Sequence, residues 1–68
     1  ANPMKHYYVD VRGGMAIVKA TSTKSAEQFS YSYFGTLNVM FIRLAAEEET
    51  DWYKAMGGVI HETNNVSV

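Results

Sequence analysis

Glu47, Glu48, Glu49 and Asp51 put four carboxylates within five positions of a 68-residue chain. Such a run could hold a hard cation, act as a general acid–base pair, or present an acidic recognition patch to a partner. A calcium loop needs alternating oxygen ligands around a glycine, and no Asp-x-Asp-x-Asp-Gly pattern accompanies these acids. Successive helical positions diverge by about 100°, so consecutive glutamates on a helix do not converge on one ion. Acids in a first helical turn instead complement the positive end of the helix dipole. The run is therefore expected to be architecture first, with recognition as its alternative use.

The remaining reactive side chains are sparse. His6 and His61 could share a site only if the terminal strands lie together, and a metal is improbable with two imidazoles and no cysteine. The serines and threonines carry no Gly-x-Ser-x-Gly elbow and no Ser-x-x-Lys signature. Gly13-Gly14 has neither Walker-A nor dinucleotide-loop spacing, and a turn explains both glycines. Tyr7, Tyr8, Tyr31, Tyr33 and Phe41 raise the possibility of base stacking, but the strand motif and element order of an RNA-recognition domain are missing. No catalytic, cofactor-binding or metal-binding residue is assigned, and the chain is expected not to be an enzyme.

The elements that must position these residues form one small domain, residues 4–63. Ala1-Asn2-Pro3 reads as a tag remnant and Asn64 onward as a frayed tail. A chain of this size buries only about 60% of the surface it exposes when unfolded, and without disulfides or a metal it is expected to gain stability by oligomerising. Hydrophobic content of 47% with 19% charged residues is globular composition. No apolar run reaches membrane-spanning length and no signal peptide is visible, so a cytoplasmic protein is expected. Net charge is −1, which argues against a phosphate-driven nucleic-acid binder. It is unevenly spread: residues 4–44 carry a balance of +3 and residues 45–68 a balance of −4.

HYYVDVRGGMAIVKAT predicts a β-hairpin with Gly13-Gly14 as its loop, opposing Val9 to Val18 and Val11 to Ala16. One face then collects Tyr7, Val9, Val11, Ala16, Val18 and Ala20. The other collects His6, Tyr8, Asp10, Arg12, Met15, Ile17, Lys19 and Thr21. Ser25 to Gln28 has capping-box spacing, followed by Ala26, Phe29 and Tyr33 at helical intervals and Gly35 as a C-cap. TLNVMFIRL is apolar on both faces and predicts a central strand. Ala46 to Met56 predicts a helix pinned to the core by Trp52 and Met56, so that Trp52→Ala would cost about 3–5 kcal/mol if the ring is buried. VIHET could add a short final strand. The expected architecture is α+β: a small single-layer antiparallel sheet in the order β-β-α-β-α, with the helices packed on it.

Tyr8, Met15 and Ile17, joined by Val39 and Phe41 if the third strand pairs in the same sheet, form the expected interaction surface. The reading that follows is a protein-interaction module, a homodimer joined through Tyr8, Ile17, Val39 and Phe41 or by an edge strand, with another protein as partner. A second reading is an inhibitor of phage or plasmid type whose acidic end mimics nucleic acid. A third is a weak nucleic-acid binder using Lys5, Arg12, Lys19 and Lys24 beside Tyr8. Neither a cofactor nor a membrane is implied.

Overall fold

The computed structural model describes residues 3–63; the tail expected from Asn64, like Ala1 and Asn2, lies outside the described residues. In chain order the elements are β1 (Lys5–Val11), β2 (Gly14–Ala20), α1 (Thr23–Phe34), a 3-10 turn (Thr36–Asn38), β3 (Val39–Leu44), α2 (Glu47–Ala55) and β4 (His61–Glu62). The strands form one sheet in the order β3-β1-β2-β4. The class is α+β as expected, and the final short strand is present. It runs parallel to β2 while the other neighbours are antiparallel, so the sheet is mixed.

Alternation along the hairpin decides where the core sits. Tyr7, Val9, Val18 and Ala20 are buried together with Ala26 of α1, and Val11, Phe29, Phe34, Val39 and Ile42 pack around them. This is the wholly apolar hairpin face, covered by the first helix. α1 starts earlier than the capping-box spacing predicts: Ser22, not Ser25, is the N-cap, and its Oγ accepts the Ser25 N–H at 3.1 Å. Its end is as expected, with Gly35 at φ +98° donating its N–H to the Tyr31 carbonyl. The inward face of α1 is Ala26, Phe29 and Ser30, and Tyr33 turns outward.

The hairpin register differs from expectation by two residues. Val9 opposes Ala16 and Val11 opposes Gly14, so Arg12-Gly13 is the loop and Gly14 opens β2. A shift of two leaves every side chain on its original face, because the strand period is two. Face segregation therefore could not choose between the two registers. Gly13 has φ +89°, whereas Arg12 and Gly14 keep ordinary values. A negative φ followed by a positive one is the requirement of a type II turn. The Arg12 N–H also donates to the Asn38 carbonyl at 2.8 Å, which ties the turn to the approach to β3.

β3 is an edge strand, not a central one. Phe41 opposes Asp10, but Val39 opposes Val11, so Met40 is the extra residue of a bulge. The bulge returns Val39 to the α1 side, while Phe41 stays on the opposite face.

The turn assignment has a direct consequence. Gly13→Val is expected to lower stability by about 1–2 kcal/mol, the usual cost of a left-handed residue with a side chain. Gly14→Val should be close to neutral, since a side chain there meets open space. Urea unfolding of both variants is the check. A larger loss at Gly14 than at Gly13 would restore the Gly13-Gly14 loop.

Candidate interaction surface

The face of the sheet opposite α1 carries His6, Tyr8, Asp10, Met15, Ile17, Lys19, Phe41 and Arg43, by the pairing of β1 with β2 and β3. α2 crosses part of it. A two-residue link, Ala45-Ala46, leads from β3 into the helix, and the Ala45 N–H still bonds the His6 carbonyl at 3.0 Å. The helix therefore has to start beside the end of β3.

Arg43 joins these elements. Its guanidinium donates to both carboxylate oxygens of Glu49, at 2.9 and 2.7 Å, and to the Leu44 carbonyl at 3.1 Å. The same group lies over the Tyr8 ring, 4.3 Å from its centroid. Tyr8 in turn stacks with Phe41 at 6.2 Å. Glu49 also accepts the Ala46 N–H at 2.8 Å, the backward half of a capping box, in a helix whose N-cap alanine has no side-chain acceptor. Arg43 and this N–H hold the Glu49 carboxyl well below its ordinary 4.5, at about 2.

The helix rests on different residues from those expected. Thr50 is buried, and Glu49 and Tyr53 are half-buried. Trp52 is 56% exposed and Met56 68% exposed, so neither pins the helix. Tyr53 does that work. Its hydroxyl donates to the Val59 carbonyl at 3.0 Å, and its ring lies so close over Gly58 that a Cβ there would stand 2.6 Å from it. The chain returns under the tyrosine because residue 58 has no side chain.

Of the expected surface, Tyr8, Met15 and Phe41 lie on one face, the first two half-buried and the third exposed. Ile17 drops out, being fully buried on the side occupied by α2, which packs against β2. Val39 drops out as well, since the bulge sends it to the core under α1. Sequence reasoning missed Trp52 and Met56 as surface residues. Trp52 follows Glu49 by three positions on the same flank of α2, and Met56 is the C-cap of that helix. The signal was there: the 46, 49, 50, 53 spacing is as helical as the apolar spacing of 52, 55 and 56, but it is written in Ala, Glu, Thr and Tyr.

Glu47, Glu48 and Glu49 form the first turn of α2, as expected, whereas Asp51 lies in the next turn. Glu49 is committed to Arg43, while Glu47 and Asp51 line a groove of about 510 Å³ with Lys5, His6, Thr50 and Lys54. Burial, Lys19 and Lys54 lower the pKa of His6 in this region. His61 is on the other face, opposite Val18 and among the rings of Phe29, Tyr33 and Phe34 at 4.8–6.1 Å, so the two histidines share no site. Lys5 and Arg12 stand at opposite ends of the hairpin, and Lys24 lies in the first turn of α1.

Among the described residues there is no cluster of three or more metal-ligating side chains, and no helix long and apolar enough to cross a membrane. No protein-family model, curated protein or solved structure matches the chain.

Two outcomes test this geometry. Trp52→Ala should cost under about 1 kcal/mol, since an exposed ring leaves no cavity. Gly58→Ala should cost more, because its Cβ meets the Tyr53 ring. The opposite ranking in thermal unfolding would put Trp52 back in the core. Acid unfolding supplies the second test. A carboxyl depressed by folding stabilises the native state above its unfolded pKa and loses that contribution as pH falls from 4.5 towards about 2. Glu49→Gln is expected to flatten this part of the curve, and an unaltered curve would mean that the Arg43 bridge does not persist in solution.

Proposed function

We propose that the chain is a small, non-enzymatic cytoplasmic interaction module that forms a homodimer and binds another protein. The contact surface is Tyr8, Met15 and Phe41 on the sheet, extended by Trp52 on α2 and Met56 at its C-cap. The observation that carries this reading is the exposure of Phe41, Trp52 and Met56 in a domain whose fully buried hydrophobics are mostly Ala and Val. Folding alone does not account for such side chains on the outside. Contact surfaces are enriched in Trp, Tyr, Phe, Met and Arg, and Arg43 sits within this group. Dimerisation would supplement a core that a chain of this length leaves thin.

A nucleic-acid mimic needs unpaired acids arranged like phosphates. Glu49 spends its charge on Arg43, and Glu47 and Asp51 share their groove with lysines, which favours the protein-contact reading over that one. Direct binding of nucleic acid would need a continuous basic stripe, which Lys5, Arg12, Lys19 and Lys24 do not form.

Capture from host extract on the immobilised chain tests the proposal. Wild-type protein is expected to retain a discrete protein, and a Phe41→Ser/Trp52→Ser variant of unchanged circular dichroism to lose it. Retention should fall only weakly with salt. Steep salt dependence with loss on Glu47→Gln/Glu48→Gln would favour the mimic, and retained DNA or RNA would favour the third reading.

A further inference from the structure

We infer that β3 is the dimer seam, pairing antiparallel with β3 of a second copy about a two-fold axis at Ile42; this rests on the proposal that the chain self-associates. The Ala45 N–H bonds the His6 carbonyl, which fixes the phase of the β1–β3 ladder. Hydrogen-bonded and non-bonded pairs alternate along an antiparallel ladder, so Arg43 and Phe41 direct their amides and carbonyls at β1. Ile42 and Leu44 then direct theirs outward, away from the sheet. The Leu44 carbonyl is met by the Arg43 guanidinium at 3.1 Å. Among the described residues the N–H and C=O of Ile42 and the N–H of Leu44 have no partner.

Natural edges are blunted by lysine, by proline, by inward-pointing charge or by a bulge. β3 has neither lysine nor proline, its one charge is bound to Glu49 beside it, and its bulge at Met40 leaves Phe41 to Leu44 in regular pairing with β1. Its outer side presents Met40, Phe41 and Leu44, each about half exposed or more. The other edge of the sheet is partly occupied by β4.

Pairing with a second copy is favoured over a foreign strand because the strand complements itself. With Ile42 opposite Ile42, the two residues exchange both backbone hydrogen bonds. Met40 and Leu44 then meet at each end, and Phe41 of one copy faces Arg43 of the other, all with their faces matched. Arg43 would lie between its own Tyr8 and the second copy's Phe41. Moving the axis towards Leu44 would set Arg43 against Arg43, a like-charge pair that opposes association. The result is a continuous eight-stranded sheet with both proposed partner-binding surfaces on one side.

The chain has no cysteine, so single cysteines report register. Sedimentation equilibrium of wild type should give twice the 7.6 kDa chain mass. Ile42→Cys should form an interchain disulfide under mild oxidation, at the roughly 5.5 Å Cα separation of a hydrogen-bonded pair. Phe41→Cys and Arg43→Cys should not. Phe41→Lys, at an exposed position that leaves the core intact, should raise the dimer dissociation constant roughly tenfold by opposing Arg43 twice per dimer. Leu44→Pro should do likewise by removing an outward N–H. Faster linkage at Phe41 or Arg43 than at Ile42 would overturn the register. A dimer indifferent to all these changes would overturn the seam and leave self-association standing, whereas a monomeric wild type would overturn both.

Discussion

Strand β1 is hydrogen-bonded along both edges, and every other element takes its side of the molecule from those two ladders. Because side chains alternate, the pairing that buries Tyr7 and Val9 beneath α1 must also turn Tyr8 and Asp10 to the other face. β2 follows with Val18 inward and Ile17 outward, and β3 with Ile42 inward and Arg43 outward. The position of Arg43 opposite Tyr8 is thus a result of backbone pairing. So is the place where α2 can land, since Ala45 is still in the ladder and only one residue separates it from the helix.

The two helices are held by different physics. α1 packs Ala26 and Phe29 against valines and Tyr7. α2 is joined to the sheet by Glu49 through Arg43 and to the segment after it by Tyr53, Thr50 is buried, and Trp52 is left outside. A helix attached by polar contacts gains less from packing than one attached by an apolar stripe, because the hydrophobic contribution grows with apolar area removed from water. Its attachment instead depends on geometry: a bidentate guanidinium fork, a reach-back capping bond and a tyrosine ring closed over a glycine. Each of these fixes orientation more than it adds stability. Together they set the azimuth of α2, with Glu49 turned to Arg43 and Trp52 left exposed.

This contrast explains what could be read in the sequence. The hairpin, its apolar face, the helix over it and the α+β class all rest on hydrophobic periodicity, which is local and strong. The two-residue register error came from the one ambiguity that periodicity cannot lift. β3 was legible as a strand and not as an edge, since two apolar faces suit a buried strand and a seam equally well. For α2, periodicity gave the wrong face because Trp52, Ala55 and Met56 look like an inward stripe. The surface was accordingly half legible. Tyr8, Met15 and Phe41 were placed by strand alternation, while Ile17 and Val39 were lost to a helix position and a bulge that depend on long-range contacts.

The acidic run shows why charge in a sequence cannot be assigned to architecture or recognition as a block. Its members stand at different azimuths of one helix. Glu49 turns to Arg43, Glu47 and Asp51 turn to the groove with Lys5 and Lys54, and Glu48 is exposed on the outer side. The basic first part of the chain and the acidic last part therefore meet within the molecule, where α2 folds back over the strands. A chain with a balance of +3 before residue 45 and −4 after it could have used that asymmetry to attract a partner. Here one pair drawn from the two parts, Arg43 and Glu49, joins β3 to a helix that brings little apolar surface of its own to the sheet. Trp52 and the C-cap Met56 face outward together with Glu48, because α2 is joined to β3 through a charged pair and not through its largest apolar side chains.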